Sequence, residues 1–259
     1  MSSRKLAVAA AVNSEEVLQQ CLAHSPDIAS GAVQLRTYEG YKVAALAYNQ
    51  ALADCDAEWL VLAHQDVYLP AGFAERAAKA LAHLTDVAPE WAVAGLIGAT
   101  NDRKLFGRIW CTGNGREIGD GAALPACVVT LDELVLIVRT DAGLKFDDQL
   151  PGFHMYGADI VLQAEAQGRT AWVIDAPVVH HSKPVVNLGG DYARASRYMR
   201  RKWADRLPVF NLCCPITPSP FTLWVNDFRV RWRNRGRTVR ADAQGDPAEI
   251  ARRLGYELP

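Results

Sequence analysis

Three short clusters in this 259-residue chain combine residue types that bind metals and move protons. The first is His64-Gln65-Asp66. The second holds Asp175, His180, His181 and Ser182. The third is Tyr156-Gly157-Ala158-Asp159. A carboxylate grouped with imidazoles is a ligand set for a divalent cation, and mixed nitrogen and oxygen ligation suits Mn²⁺ or Zn²⁺ better than Ca²⁺. Each cluster also has an ordinary explanation. Asp66 suits a turn before Pro70. Adjacent histidines on an extended chain point to opposite sides, so His180 and His181 cannot both face one ion. Asp159 suits the positive end of a helix. One at a time, these explanations are as good as a functional one. What favours function is the joint position: all three clusters are expected at one edge of one α/β sheet, where such folds bind ligands.

The elements that must position these residues are readable from apolar runs and their punctuation. Leu6–Val12 is a short apolar run, and Asn13-Ser14-Glu15-Glu16 carries a helix-start signal of the capping-box kind. Residues 32–37 are expected as a second strand and 40–53 as a helix. Trp59–Ala63 is apolar throughout, as in a parallel strand buried on both faces. Phe73, Ala77, Ala80, Leu81 and Leu84 fall on one helical stripe after Pro70. Residues 91–99 are expected as a strand, 100–125 as a long loop or small hairpin layer, and 127–130 and 134–138 as strands. A helix over 155–167 stops at Gly168, and 172–174 is the last strand of the body. A helix over 191–205 follows, and prolines at 208, 215, 218 and 220 break regularity beyond it. The alternation predicts an α/β fold with a mixed, mainly parallel sheet flanked by helices.

Composition narrows the function classes. Half of the residues are hydrophobic, the formal net charge is −1 and mean hydropathy is −0.05. Near-neutrality argues against a nucleic-acid-coating protein, and no apolar run is long enough for a membrane-spanning helix. The average hides an asymmetry. Residues 1–190 hold 14 basic and 22 acidic residues, whereas residues 191–259 hold 14 and 7. An acidic body thus carries a basic tail. The cysteines at 21, 55, 111, 127, 213 and 214 show no C-x-x-C spacing and read as free thiols of a reducing compartment. The charged start before Leu6 has the outline of an export signal, but a buried first strand is the reading adopted.

The stretch from Glu58 through His64-Gln65-Asp66 to Pro70 resembles the segment of GT-A glycosyltransferases that ends in the metal-binding DXD motif. The stretch from Phe146 through His154, Tyr156 and Asp159 to Ile160 resembles their acceptor and catalytic-base segment. Val178-Val179-His180-His181-Ser182 resembles their late histidine segment. Order and spacing agree across residues 5–182, nearest to a family-two-like branch in which DXD reads His-Gln-Asp. The resemblance implies a GT-A, Rossmann-like catalytic domain over 1–190 and a basic, partly helical extension over 191–259 packed on it. It implies an inverting transferase that moves a hexose-type sugar from a nucleotide-sugar donor to a carbohydrate, lipid-linked or other hydroxyl acceptor, as in polysaccharide or glycoconjugate synthesis. The implied cofactor is Mn²⁺ or Mg²⁺. Asp66 matches the last Asp of DXD. The late ligand is His181 or His180, with His181 preferred. His64 replaces the first Asp, which leaves open whether it meets the metal, the ribose or neither. Asp159 matches the general base, although the residue before it is usually Glu and is Ala158 here. Asn13, Asn49 and Gln65 match positions lining the nucleotide pocket. Glu133, His154 and Tyr156 are expected to face the acceptor.

Three other readings compete. A metal hydrolase lacks support because neither H-E-x-x-H nor H-x-H-x-D-H occurs. A GT-A-like nucleotide- or carbohydrate-binding protein with weakened catalysis is motivated by His64 and Ala158. A dehydrogenase is disfavoured because Ala9 to Asn13 replaces G-x-G-x-x-G. In the tail, Arg194, Arg197 and Arg201 share one helical face. The arginines at 229, 231, 233, 235 and 237 alternate as on a strand, with Trp203, Trp224 and Trp232 interleaved. A solvated basic face accounts for most of these residues. The functional alternatives are a grip on donor phosphates or contact with an anionic membrane through residues 191–240. The expected partners therefore exclude nucleic acid, and the expected location is the cytoplasm, with peripheral contact at the inner face of the membrane.

Overall fold

A computed structural model describes residues 6–235 and 245–258. In chain order the strands and helices begin β1 (Leu6–Val12), α1 (Glu15–Gln20), α2 (Pro26–Ala29), β2 (Leu35–Glu39), α3 (Ala44–Asp54), β3 (Trp59–Ala63), β4 (Val67–Tyr68), α4 (Phe73–Val87) and β5 (Trp91–Gly95). Short strands follow: β6 (Ile97–Ala99), β7 (Leu105–Gly107), β8 (Ile109–Cys111), β9 (Arg116–Ile118), β10 (Ala126–Val128) and β11 (Thr130–Leu131). The chain continues with β12 (Val135–Arg139), α5 (Tyr156–Ala166), β13 (Thr170–Val173), β14 (Val178–His180), α6 (Gly190–Lys202), α7 (Phe221–Arg233) and α8 (Pro247–Arg253).

The central sheet has seven strands in the order β10-β13-β5-β12-β3-β1-β2. β2, β1, β3, β5 and β13 run parallel, while β12 and β10 run against them. The expected mixed, mainly parallel α/β class is therefore the observed one. Strand side chains alternate between two cores, as a period of two requires. On β3, Leu60 and Leu62 join the core under α3 and α5, whereas Trp59, Val61 and Ala63 join the core under α1 and α4. On α4, buried Phe73, Ala77, Leu81 and Leu84 make the predicted stripe. On α3, alanines at 44, 45, 47 and 51 let the helix lie close to the sheet, with Tyr48 buried among them.

Several expectations shift. Residues 91–99 are not one strand. The chain bends at Leu96, and Ile97–Ala99 pairs in a separate three-stranded sheet, β11-β6-β7. Gly98 permits that approach, since a Cβ there would lie 2.5 Å from the Thr130 carbonyl oxygen. The glycine-rich 100–125 stretch supplies β7, β8 and β9. A third sheet, β4-β14-β8-β9, stands apart from the central one. The idea that all three polar clusters line one edge of one sheet is thus corrected: β14 carries His180 in this small sheet. The arginine-rich segment before Asn234 is helix α7, not a strand. Its arginines alternate in sequence, but Leu223 and Val230, seven residues apart, are what pack on the body. Arg237, the rest of 236–244, and Met1 to Lys5 lie outside the described residues.

Beyond Gly190 the chain is built onto the body. Tyr192, Ala195 and Met199 of α6 are buried in the core under α5. Ile250, Ala251 and Tyr256 pack with Tyr68 and Val179 of the small sheet. All six cysteines are free thiols. Among the described residues no helix is long and apolar enough to cross a membrane.

Candidate functional site

β3 ends at Ala63, and the chain turns at once, with the Val67 N–H donating to the His64 carbonyl (3.1 Å). The turn delivers the chain into β4, which pairs antiparallel with β14 in the register His180↔Val67. β14 also pairs with β8, setting His180 beside Cys111. This pairing brings residues from the 60s and 180s together. His64, Asp66 and His180 each present a ligand atom, and these atoms all lie within 4.8 Å of one another. The His180 Nε2 stands 3.5 Å from Asp66 Oδ2, and the His64 Nδ1 stands 4.0 Å from Asp66 Oδ1. His64 Nε2 is hydrogen-bonded to the Tyr156 hydroxyl at 2.8 Å, and that hydroxyl donates on to the Glu133 carbonyl. The Tyr156 hydroxyl on one ring nitrogen orients the other toward a cation, as is usual for metal-bound histidine. Two imidazoles and a carboxylate in this arrangement fit a divalent cation.

The electrostatics of the trio are strongly coupled. Burial opposes charge on Asp66, but the His180 hydrogen bond outweighs it and holds the carboxyl well below the usual carboxylate range. Burial likewise opposes charge on His180, yet hydrogen bonds with Asp66 and Cys111 push the imidazole up to about 10. His64 goes the other way: burial lowers it, against the pull of Asp66. The cluster thus holds one firmly ionised carboxylate and one imidazole kept neutral by burial.

Of the two adjacent histidines it is His180, not the preferred His181, that joins the cluster. The extended backbone of β14 turns successive side chains to opposite sides. The His181 backbone N–H donates to the Asp66 carbonyl, and its side chain lines a different cavity with Gln19, Gln20 and His24.

Beside the cluster lies a cavity of about 610 Å³, at the carboxyl ends of β1, β2 and β3. His64, Gln65, Asp66, Asn13 and His154 line it, with Tyr38 and Tyr41 on the far wall. Gln65 and Asn13 lock each other: Gln65 Nε2 donates to Asn13 Oδ1 (2.6 Å) and the Asn13 N–H donates to Gln65 Oε1 (2.9 Å).

Besides His180 and His181, four expected site residues do not line this cavity. Asn49 is committed to the backbone of Phe146, donating to its carbonyl and accepting from its N–H, both at 2.8 Å. Tyr156 is buried behind His64. Glu133 lies behind the wall as well, with its Oε1 buried and unpartnered. Asp159 is 1% exposed, and both of its oxygens are taken. Trp203 Nε1 donates to Oδ1 (2.8 Å), Gln163 Nε2 to Oδ2 (2.7 Å), and the Lys202 ammonium bridges both. A general base must reach the proton it removes, and this carboxylate instead ties α5 to α6. In this arrangement both oxygens of the expected base serve that tie. Lys202 and Trp203 are the residues that sequence reasoning missed. The only signal was a Lys-Trp pair at the end of an arginine-rich helix.

Glu133 yields a pH prediction. Burial, reinforced by the Asp132 carboxylate, pushes its carboxyl from 4.5 up to about 8, against backbone N–H groups of Glu133, Met155 and Gly157. The folded state therefore holds this proton more tightly than the unfolded chain. The stabilising difference is fully present below about pH 4.5 and is lost as pH rises through about 8. Thermal unfolding between pH 5 and pH 9 tests this: the wild type should lose up to about 1.4 kcal/mol per pH unit relative to Glu133→Gln. Parallel pH profiles for the two proteins would refute it.

No known protein-family profile matches the chain. Among curated proteins it is 28% identical over 176 residues to a Fuscovulum blasticum protein named ATP synthase subunits region ORF 6, covering 64% of this chain and 68% of that one. Among solved structures it is similar to the mannosyltransferase PcManGT from Pyrobaculum calidifontis in complex with GDP-Man and Mn²⁺. That match has a TM-score of 0.47 and 14% identity, and covers 98% of this chain and 83% of the other. It is also similar to residues 1–349 of S. aureus TarS, with a TM-score of 0.46 and 15% identity over 76% of this chain and 65% of that one.

Proposed function

We propose that the chain is a GT-A-type glycosyltransferase that moves a sugar from a nucleotide-sugar donor to a hydroxyl acceptor, with inversion at the anomeric carbon. One observation carries this reading: His64, Asp66 and His180 cluster together, and two of them, His64 and Asp66, line a cavity at the carboxyl ends of three parallel strands. A Mn²⁺ or Mg²⁺ ion held by these three residues would supply Lewis-acid stabilisation of the departing nucleoside diphosphate. Tyr38 and Tyr41 offer aromatic surface for the base of the nucleotide, and the Asn13–Gln65 pair offers polar groups for its ribose. Tyr156 fixes the His64 ring.

The acceptor hydroxyl is a weak nucleophile and must lose its proton as it attacks. Among the described residues, and apart from His64 and Asp66, the cavity wall offers one titratable side chain other than tyrosine, His154. His154 therefore takes the base role in this proposal, opposite the departing diphosphate, and a single in-line displacement inverts the anomeric centre. His154→Gln should lower kcat by about 10²–10⁴ while nucleotide affinity, measured by calorimetry, stays unchanged. Wild-type turnover in that variant would remove His154 from the role.

A second reading, a binding protein without turnover, is favoured by the engagement of Asp159 and by His64 in the DXD position. One experiment separates the two. The protein is incubated with UDP-, dTDP-, GDP- and CMP-sugars, with Mn²⁺ or Mg²⁺, and release of the nucleotide is followed. Metal-dependent release from one donor class supports the transferase. Binding without release supports the second reading. Neither binding nor release from any donor overturns both.

A further inference from the structure

Among the described residues, α7 is held to the body along one side only. Leu223 and Val230 pack on the core, Asp227 Oδ1 accepts from the Leu188 N–H (2.6 Å), and Asn234 Nδ2 donates to the Val185 carbonyl (2.7 Å). The opposite side is aromatic and uncovered by any described residue. Phe221, Trp224, Phe228 and Trp232 are 71%, 68%, 62% and 72% exposed. At about 100° per residue these four fall within an arc of roughly 80°. Trp224 and Phe228 stack, with ring centroids 6.4 Å apart. Val185 and Val186, beside the end of the helix, are also exposed.

We propose that this stripe of α7 docks on the surface of an anionic lipid bilayer. The charge around it selects that occupant. Arg229 and Arg231 flank the stripe on its two sides, with Arg233 and Arg235 beyond them, all exposed. Arg231 pairs with Asp227, while Arg229, Arg233 and Arg235 have no ion pair among the described residues. An amphipathic helix with Trp and Phe on one face and arginines beside it is the composition that lies in the headgroup layer. A second copy of the chain fits less well, because a two-fold contact would set these arginines against their own copies. The docking needs no catalytic residue and stands or falls apart from the transferase reading.

The test uses the full chain, sedimented with vesicles of phosphatidylcholine alone or mixed with phosphatidylglycerol. Binding to the mixed vesicles should be at least about tenfold stronger, should fall with added salt, and should shift tryptophan emission to the blue. Trp224→Ala with Trp232→Ala should weaken it at least about tenfold, as should Arg229→Glu with Arg233→Glu. Since the stripe is exposed, both double variants should keep the wild-type unfolding midpoint. Absence of binding to anionic vesicles overturns the proposal. So does undiminished binding by both variants. Sedimentation velocity showing a dimer that Trp224→Ala with Trp232→Ala dissociates, without vesicle binding, would assign the stripe to a second copy instead.

Discussion

Asp66→Ala should abolish metal-dependent nucleotide binding. The Asp66 carboxylate is the one anionic group in the cluster, and it lies between the two imidazoles. Without it the site keeps two imidazoles and loses the negative charge that draws a divalent cation. Changes to residues that only support a metal ligand typically cost about 10–100-fold in affinity, and loss of a ligand should reach at least the upper end. Calorimetry with Mn²⁺ and nucleoside diphosphate measures this directly, and Asp66→Asn controls for any loss of fold. The adjacent histidines sharpen the experiment. His180→Ala should weaken binding comparably, whereas His181→Ala should leave it near wild type. Unchanged affinity in Asp66→Ala, or a larger loss from His181→Ala than from His180→Ala, would remove the cluster as the metal site.

Asp159→Ala should be the most destabilising of these changes. Burial raises this carboxyl, against the hydrogen bond and charge of Lys202 and the Trp203 indole N–H. Lys202 is shared with Asp147 at 2.6 Å, and the Tyr198 hydroxyl also donates to Asp147 at 2.7 Å. Removing Asp159 leaves Lys202 with Asp147 alone and strands the Trp203 indole N–H at the junction of α5 and α6. Breaking a buried ion pair from one side costs about 3–5 kcal/mol. For a chain of this length that is a fall of roughly 10 °C in Tm, at about 2–4 °C per kcal/mol. Asp159→Asn keeps an acceptor for Trp203 and should fall less. A different pattern would restore Asp159 as the base: an unchanged Tm in Asp159→Asn, with turnover down about a hundredfold and nucleotide binding intact.

Much of the fold was legible locally. β1 and β3 occur at their predicted bounds, because an apolar run ending at polar residues is a property of neighbours in sequence. The stripe on α4 was legible for the same reason. The α7 arginines misled, since alternation at 229, 231 and 233 mimics a strand while the apolar residues carry a helical repeat. At the candidate site, the grouping of His64 with Asp66 after β3 was legible, although the sequence leaves open whether His64 meets the metal. The roles of Asn49 and Asp159 could not. Their partners are Phe146, Lys202 and Trp203, and no periodicity reports contacts made across the chain at such separations.

By itself, then, the sequence determined the α/β alternation, the turn after β3 that carries His64-Gln65-Asp66, and the split into an acidic body and a basic tail. Tertiary structure decided which histidine completes the cluster, which carboxylate is consumed by a lysine, and which side of α7 is left bare. The physical reason is the range of the forces. Backbone propensity and hydrophobic period act over a few residues. The β4–β14 pairing and the Asp159–Lys202 contact join residues more than forty positions apart, and only the closed fold brings them together.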